Sequence, residues 1–495
     1  MNTLTHSIQN LMSKLSRESI GLICCCIAAS AFLIFPEAAI SLVAGLTSYV
    51  IHEFGLVFII IPSLFVILSL AIALSPWGKI TLGEDAKPEF GFVSWTSMLF
   101  AAGMGSGLIF WGVAEPIAHY AHPPAFVSAD DIGKDSALAL TYFHWGLHAW
   151  SLYAISGLVM AWFAFNKSRP MTISASFSDK PESSRYQLFD LLAVVAVIFG
   201  VAGTLANTIA LVQSGVEQSI GFDTGGLSFR LGLLVAITLA FTLSSTMGLD
   251  KGIKRMSLFN LLFVVVMLVA VIALVDPLSV ATTVVTSSLN YLQLLPSVSF
   301  SIDENSRDWS EGWSIIYFVW WIAWAPFVGP FIARISRGRT IRQYLLCTIL
   351  IPTMTTIVWF STFGGSVFEM SILPDVVQAT NTDFTLGLFT FFDNLAFGKI
   401  LTYSAILLLI TFVITSADSA IYVTSMMTGS QAIKSKLMWS LVLVAITAAL
   451  VLKNNIDLNK QIAIFGALPF TLILLAQAGI IVKELIKHKP EVQVK

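Results

Sequence analysis

The chain has 495 residues, of which 56% are hydrophobic and 11% charged, with a formal net charge of −2. No water-soluble domain of this size hides that much apolar surface, so a bilayer must solvate it. The near-neutral balance gives no footing for nucleic acid or for an acidic partner.

A helix needs about 20 apolar residues to cross the hydrocarbon core. Twelve such segments follow in chain order, near residues 18–35, 54–75, 92–119, 137–163, 187–214, 228–247, 257–277, 311–334, 343–365, 398–427, 436–452 and 461–484. The first carries Cys24, Cys25 and Cys26, which are adjacent and point in different directions. With the remote Cys347 they read as packing residues, with no disulfide framework. A polar stretch with Lys14 and Arg17 precedes this segment without a clear cleavage motif, so it reads as a membrane helix rather than a leader. Placing both termini on one face leaves only Lys134, Arg230, Arg307, Lys399, Lys453 and Lys460, of 27 basic residues, on the other. The positive-inside rule then puts both termini in the cytoplasm.

The third segment contains Gly103-Met104-Gly105-Ser106-Gly107, and the eighth contains Pro326, Gly329 and Pro330. Both are expected to break in mid-membrane. Two broken helices five spans apart point to inverted repeats meeting at a central binding site. The organisation is therefore all-α, twelve-span, with a five-plus-five inverted repeat. Residues 1–91 form a tail and two peripheral spans, 92–277 one five-helix unit (spans 3–7) and 311–484 the second (spans 8–12). Between them, 278–310 holds an amphipathic segment, too polar to span, that reads as an interfacial helix. The loop 366–397 is expected to fold over the outer face, and 485–495 to form a short cytoplasmic tail.

The fourth segment places Trp145, Trp150 and Tyr153 within one arc of roughly 140° on a regular helix. In the eighth, Trp321 and Trp324 are three apart and share a face. A quaternary ammonium donates no hydrogen bonds, and each π face attracts it by about 0.5–2 kcal/mol. Several rings can thus bind it without a buried carboxylate; the alternative is ordinary helix packing. Glu115, His144, His148 and Asp418 are ionisable groups at membrane depth, where such groups are costly. Hydrogen-bonded structural roles suit them, with gating or proton movement as the alternative. No cluster of nucleophile, metal ligands or carboxylates suggests an enzyme, and aromatic rings at the midplane do not suit a channel.

Trp320-Trp321-Ile322-Ala323-Trp324-Ala325-Pro326, running on to Arg334-Ile335-Ser336-Arg337-Gly338-Arg339, resembles the signature of the betaine/carnitine/choline transporter family. So do the glycine stretch leading into Phe110-Trp111-Gly112-Val113-Ala114-Glu115-Pro116, the pattern His144-Trp145-Gly146, and Thr415-Ser416-Ala417-Asp418. The resemblance covers nearly the whole chain and implies a transporter of a bacterial inner membrane. It implies an ammonium cage of Trp145, Trp150, Tyr153 and Trp321. It places a solute carboxylate near the backbone N–H groups of Ala102, Gly103 and Gly105 and the indole of Trp324. Choline carriers of the family tend to have aspartate where this chain has Gly107, so glycine favours a zwitterion. Glycine betaine leads, with choline, carnitine, dimethylglycine and dimethylsulfoniopropionate remaining open.

The resemblance further implies one sodium ion held by Ala101, Met104, Phe412, Thr415 and Ser416, with no other cofactor. Left to themselves, the Thr415 and Ser416 hydroxyls would bond back to their own helix. A second family sodium site falls on Val197 and Val201, which lack ligand oxygens; Thr204 and Asn207 are the nearby polar residues. No arginine marks the region Ser257 to Leu261 as it does in sodium-independent exchangers. Sodium coupling is expected, with proton coupling as the alternative. Family members resemble homotrimers, with contacts expected at 278–300. The few residues after Lys483 lead to the expectation that uptake follows gradients rather than osmotic stress.

Overall fold

The computed structural model describes residues 16–83, 87–103, 105–181, 183–247, 254–455, 459, 464 and 467–488. Among them, regular structure is helical, apart from one isolated antiparallel bridge between Thr81 and Thr340. Ten helices among the described residues are long and apolar enough to cross a membrane.

The chain opens with α1 (Arg17–Ile34), capped by Ser16, whose side chain accepts from the Ser19 N–H. Only Phe35 separates it from α2 (Pro36–Leu74), a helix of 39 residues. Residues 36–53 are therefore helical, where the apolar window at 54–75 had left them unassigned. Pro36 sits where a missing N–H is harmless, and no charge interrupts the run from Glu37 to His52. The helix pair α3 (Phe92–Gly103) and α4 (Gly107–Ala121) brackets the glycine stretch, which is broken as expected.

The next pair, α5 (Lys134–Trp145) and α6 (Leu147–Ala161), is divided at Gly146, a break the sequence reading did not foresee. A Cβ on Gly146 would lie 2.5 Å from the Tyr142 carbonyl oxygen and 3.2 Å from the Tyr291 hydroxyl, so only glycine fits. Then come α7 (Ser184–Gly215), α8 (Leu227–Met247) and α9 (Lys254–Leu274). Helices α8 and α9 expose Val235, Leu239 and Leu243, and Leu262, Val265 and Val269. These aliphatic faces require lipid.

The amphipathic segment forms α10 (Pro277–Val298). Its polarity is reversed relative to a soluble protein. Thr283, Ser287 and Tyr291 face inward while Leu278, Val285, Leu289 and Leu292 are exposed. Thr286 and Ser287 donate to the Asp135 carboxylate at 2.8 and 2.5 Å.

Helix α11 (Ile316–Ile335) corrects the expected break in the eighth span: it is continuous through Pro326 and Pro330. It packs along α6, where Gly157 faces Gly329. A Cβ on Gly157 would lie 2.7 Å from the Gly329 carbonyl oxygen. Such close packing, with Ser156 donating to the Ala325 carbonyl at 3.2 Å, holds the helix through its prolines.

Helix α12 (Ile341–Thr362) begins in a capping box of Thr340 and Gln343. The residues after it fold into α13 (Leu373–Thr382) and α14 (Leu386–Asp393), which pack on α4. The last helices are α15 (Gly398–Met427), α16 (Ile433–Lys453) and α17 (Ala467–Lys487). Arginines at and beyond the end of α11 fasten the α2–α3 connection: Arg334, in its last turn, is bidentate on Glu89 at 2.7 and 3.1 Å, and Arg339 donates to the Phe90 carbonyl at 2.7 Å.

Candidate functional site

Between α3 and α4 the backbone leaves the helix at Gly105, whose φ of +46° is left-handed. The flanking glycines admit aromatic rings. A Cβ on Gly103 would lie 2.8 Å from Trp150 Cζ3, and one on Gly107 would lie 2.9 Å from Trp145 Cη2. Here the interrupted helix meets α5, α7 and α11 around a cavity.

Of the expected residues, Trp145, Trp321, Trp324, Gly103, Gly105 and Gly107 line this cavity. Trp145 and Trp321 meet edge to face, with ring centroids 5.0 Å apart and planes at 71°. Trp150 and Tyr153 stand behind the lining. Tyr153 is 6.3 Å from Trp321, and Trp150 is 5.5 Å from Tyr153, centroid to centroid. The four rings thus form one buried chain with only two of them at the cavity. The Gly146 break explains this, since the 100° step that placed Trp145 on one arc with Trp150 and Tyr153 does not run through it. The indole N–H groups of Trp320 and Trp324 are buried and without partners. Ala102 lies in the last turn of α3.

Phe110, Trp111 and Trp320 also line the cavity. Trp320 belongs to the tryptophan run, but only its neighbours share the face first considered. A polar wall comes from Ser106 and from Thr204, Asn207 and Thr208 on α7. Ser106 and Thr208 join their hydroxyls at 2.6 Å, and Asn459 donates to Asn207 at 2.7 Å. Val197 and Val201 are buried among apolar neighbours on the same helix. Among the described residues, no charged side chain lines the cavity.

The expected sodium ligands that the structure describes fall on α3 and α15. Ala101 is in the last turn of α3, and Met104 falls outside the described residues. On α15, Thr415 donates to the Thr411 carbonyl at 2.7 Å and accepts from Asn260 Nδ2 at 3.0 Å. Ser416 Oγ is buried without a partner, 3.4 Å from where a Gly105 Cβ would stand. Phe412 is buried, its ring 6.3 Å from that of Phe100. Asn260 was not singled out by the sequence reading; a buried amide within an apolar span was its signal. Two residues beyond Ser416, Asp418 accepts from Ser244, and Lys436 donates to the Ser245 carbonyl at 2.7 Å.

Behind the cavity lies a hydrogen-bond hub on Glu115 of α4, which is 0% exposed. A carboxylate only accepts, so its neighbours donate. His144 Nδ1 is 2.7 Å and His119 Nε2 3.3 Å from Oε1; Trp145 Nε1 is 2.7 Å from Oε2, and the Tyr317 hydroxyl bonds the same oxygen. With Nδ1 donating, His144 Nε2 accepts from Ser314 at 2.8 Å. His148 is separate, 3.3 Å from Ser299 Oγ. Glu115, His119 and His144 bring ligand-type atoms within 4.8 Å of one another. Four donors already fill the carboxylate, so the arrangement is a hydrogen-bond hub.

Comparison with known proteins follows the same outline. The profile of the BCCT family, betaine/carnitine/choline family transporters, matches residues 17–490. "Glycine betaine transporter 1" of Vibrio parahaemolyticus is 35% identical over 90% of this chain and 88% of its own length. "Glycine betaine transporter OpuD" of Bacillus subtilis is 35% identical over 93% of this chain and 92% of its own. The "Ectoine/hydroxyectoine transporter" of Virgibacillus pantothenticus is 32% identical over 86% and 87%.

Proposed function

The chain belongs to the betaine/carnitine/choline family of transporters, a multi-pass protein of a bacterial membrane, and on that premise we propose that it imports glycine betaine. The observation that carries this reading is the cavity: aromatic on one side, glycine backbone on the other and, among the described residues, free of charged side chains. A trimethylammonium group fits the corner between Trp145 and Trp321, where two π faces attract it. The unpartnered indole N–H groups of Trp320 and Trp324 and the N–H groups of the α3–α4 break suit the carboxylate. A carboxylate in the lining would repel that end of the solute.

Sodium is the driving ion in this reading, a co-substrate held between α3 and α15. The orphaned Ser416 hydroxyl facing the Gly105 turn supports it, as an oxygen donor poised for a hard cation. The ten long helices, together with α1 and the α3–α4 pair, would make twelve crossings with both termini cytoplasmic. Two inverted five-helix units, 92–277 and 311–484, would meet at the cavity, with alternating access as the transport mechanism. Homotrimers would meet through the apolar face of α10. Labelled glycine betaine uptake into proteoliposomes, with and without a sodium gradient and against choline, carnitine and ectoine, tests the proposal. Uptake indifferent to sodium but following a proton gradient would remove the coupling; no betaine uptake would remove the substrate. The hydroxyl and amide wall of Ser106, Thr204, Asn207 and Thr208 favours a second reading, a zwitterion that itself donates hydrogen bonds.

A further inference from the structure

Both indole N–H groups of the central ring pair end on one buried network. Trp145 donates to Glu115 at 2.7 Å, and Trp321 donates to the main-chain carbonyl of His144 at 2.7 Å. His144 is itself held by Glu115, and its ring stacks on Tyr317 at 4.9 Å and 11°. Tyr317 bonds Glu115 and stands 5.7 Å from Trp145 and 5.9 Å from Trp321. One carboxylate therefore fixes the orientation of the rings that face the cavity, while lying outside it.

Fixing orientation is half of what this placement does. An indole that donates to a carboxylate is polarised, with electron density pushed toward its π face, the face a cation meets. The negative charge also acts directly through the low-dielectric interior, one indole-width behind the cavity wall. A carboxylate inside the cavity would attract the ammonium and repel the solute's own carboxylate at close range. Set behind Trp145, it favours the cationic end while the ring keeps the two carboxylates apart. Resting on the betaine reading above, we infer that Glu115 is a positioning residue that makes the cavity select for positive charge.

A plain packing role and this role part company on solute charge. The probe is tert-butylacetate, in which carbon replaces the quaternary nitrogen of glycine betaine at nearly the same shape. Competition of both against labelled betaine is measured with the full-length reconstituted protein. In wild type, betaine is expected to bind at least about tenfold tighter than the carbon isostere. Glu115→Gln keeps the side-chain size and removes the charge. It is expected to weaken betaine by about tenfold while moving the isostere by less than about twofold, so the ratio collapses. A fall of both compounds together, with the ratio intact, overturns the inference. Tyr317→Phe gives an independent arm should the Gln variant not fold. It deletes one donor from the carboxylate and no ring, so the less-neutralised charge should raise the ratio by about twofold or more. A ratio unchanged or lowered there also overturns it. If wild-type protein takes up no betaine, the transport reading fails instead.

Discussion

Gly107 has no side chain, and the edge of the Trp145 indole stands where one would begin, 2.9 Å from the Cβ position. Because Glu115 pins that indole, it cannot retreat freely. Gly107→Ala is therefore expected to weaken betaine by about fivefold or more through displacement of Trp145 alone, a loss of about 1 kcal/mol. A competition isotherm unchanged from wild type would show that the ring yields. The same contact complicates aspartate at 107, which would alter both charge and ring position. Trp321→Leu keeps an apolar side chain and removes the π face. At about 1.4 kcal/mol it should weaken apparent affinity about tenfold, and unaltered affinity would take Trp321 out of the site. Residue types told much at this scale: tryptophans at membrane depth and glycines in a broken helix are informative without coordinates. Partners far apart in sequence are not. Glu115 and His144 were each visible as costly groups, but their pairing needs the fold that brings α4 and α5 together.

Helices α9 and α15 show how element contacts redistribute roles among similar side chains. Thr415 already bonds Thr411 and Asn260, whereas Ser416 faces the Gly105 turn with its hydroxyl unspent. If sodium sits there, Ser416→Ala should raise the sodium concentration for half-maximal uptake by about tenfold, the loss of one oxygen ligand at about 1.4 kcal/mol. An unshifted sodium dependence would move the ion elsewhere. At this scale local rules fail where neighbours override them. Proline breaks an isolated helix, yet α11 runs through Pro326 and Pro330 because α6 packs against it at Gly329. A lone glycine is tolerated in most helices, yet α5 ends at Gly146, a position where Tyr142 and Tyr291 leave no room for a side chain. Amphipathic α10 was legible as a pattern, but its apolar stripe faces outward because the surrounding solvent is lipid.

Considered whole, the molecule buries polar hubs and shows aliphatic side chains to its surroundings, notably along α8, α9 and α10. The basic loops lead to the expectation of cytoplasmic termini, which can be checked directly. With the four native cysteines replaced, Lys180→Cys and Asp223→Cys flank α7 on opposite ends and are both exposed. An impermeant thiol reagent added to intact cells is expected to label position 223 and not 180; the reverse pattern would invert the topology.

The Gly157–Gly329 contact has a mechanical consequence. Where two helices touch main chain to main chain, no rotamer change can widen the gap, and neither can shear past the other without breaking van der Waals contact along its length. Trp150 and Tyr153 on α6 and Trp321 and Trp324 on α11 thus ride on one stiff beam, and in the alternating-access cycle proposed above the motion would fall to the opposite wall. Phe165, just beyond α6, and Arg337, just beyond α11, stand 5.9 Å apart, guanidinium to ring. In the cysteine-replaced background, a reducible tether between Phe165→Cys and Arg337→Cys is expected to leave the uptake rate within about twofold of the untethered protein, since a stiff beam gives up no motion when bolted. Uptake that stops on cross-linking and returns on reduction would mean that the beam parts during each cycle.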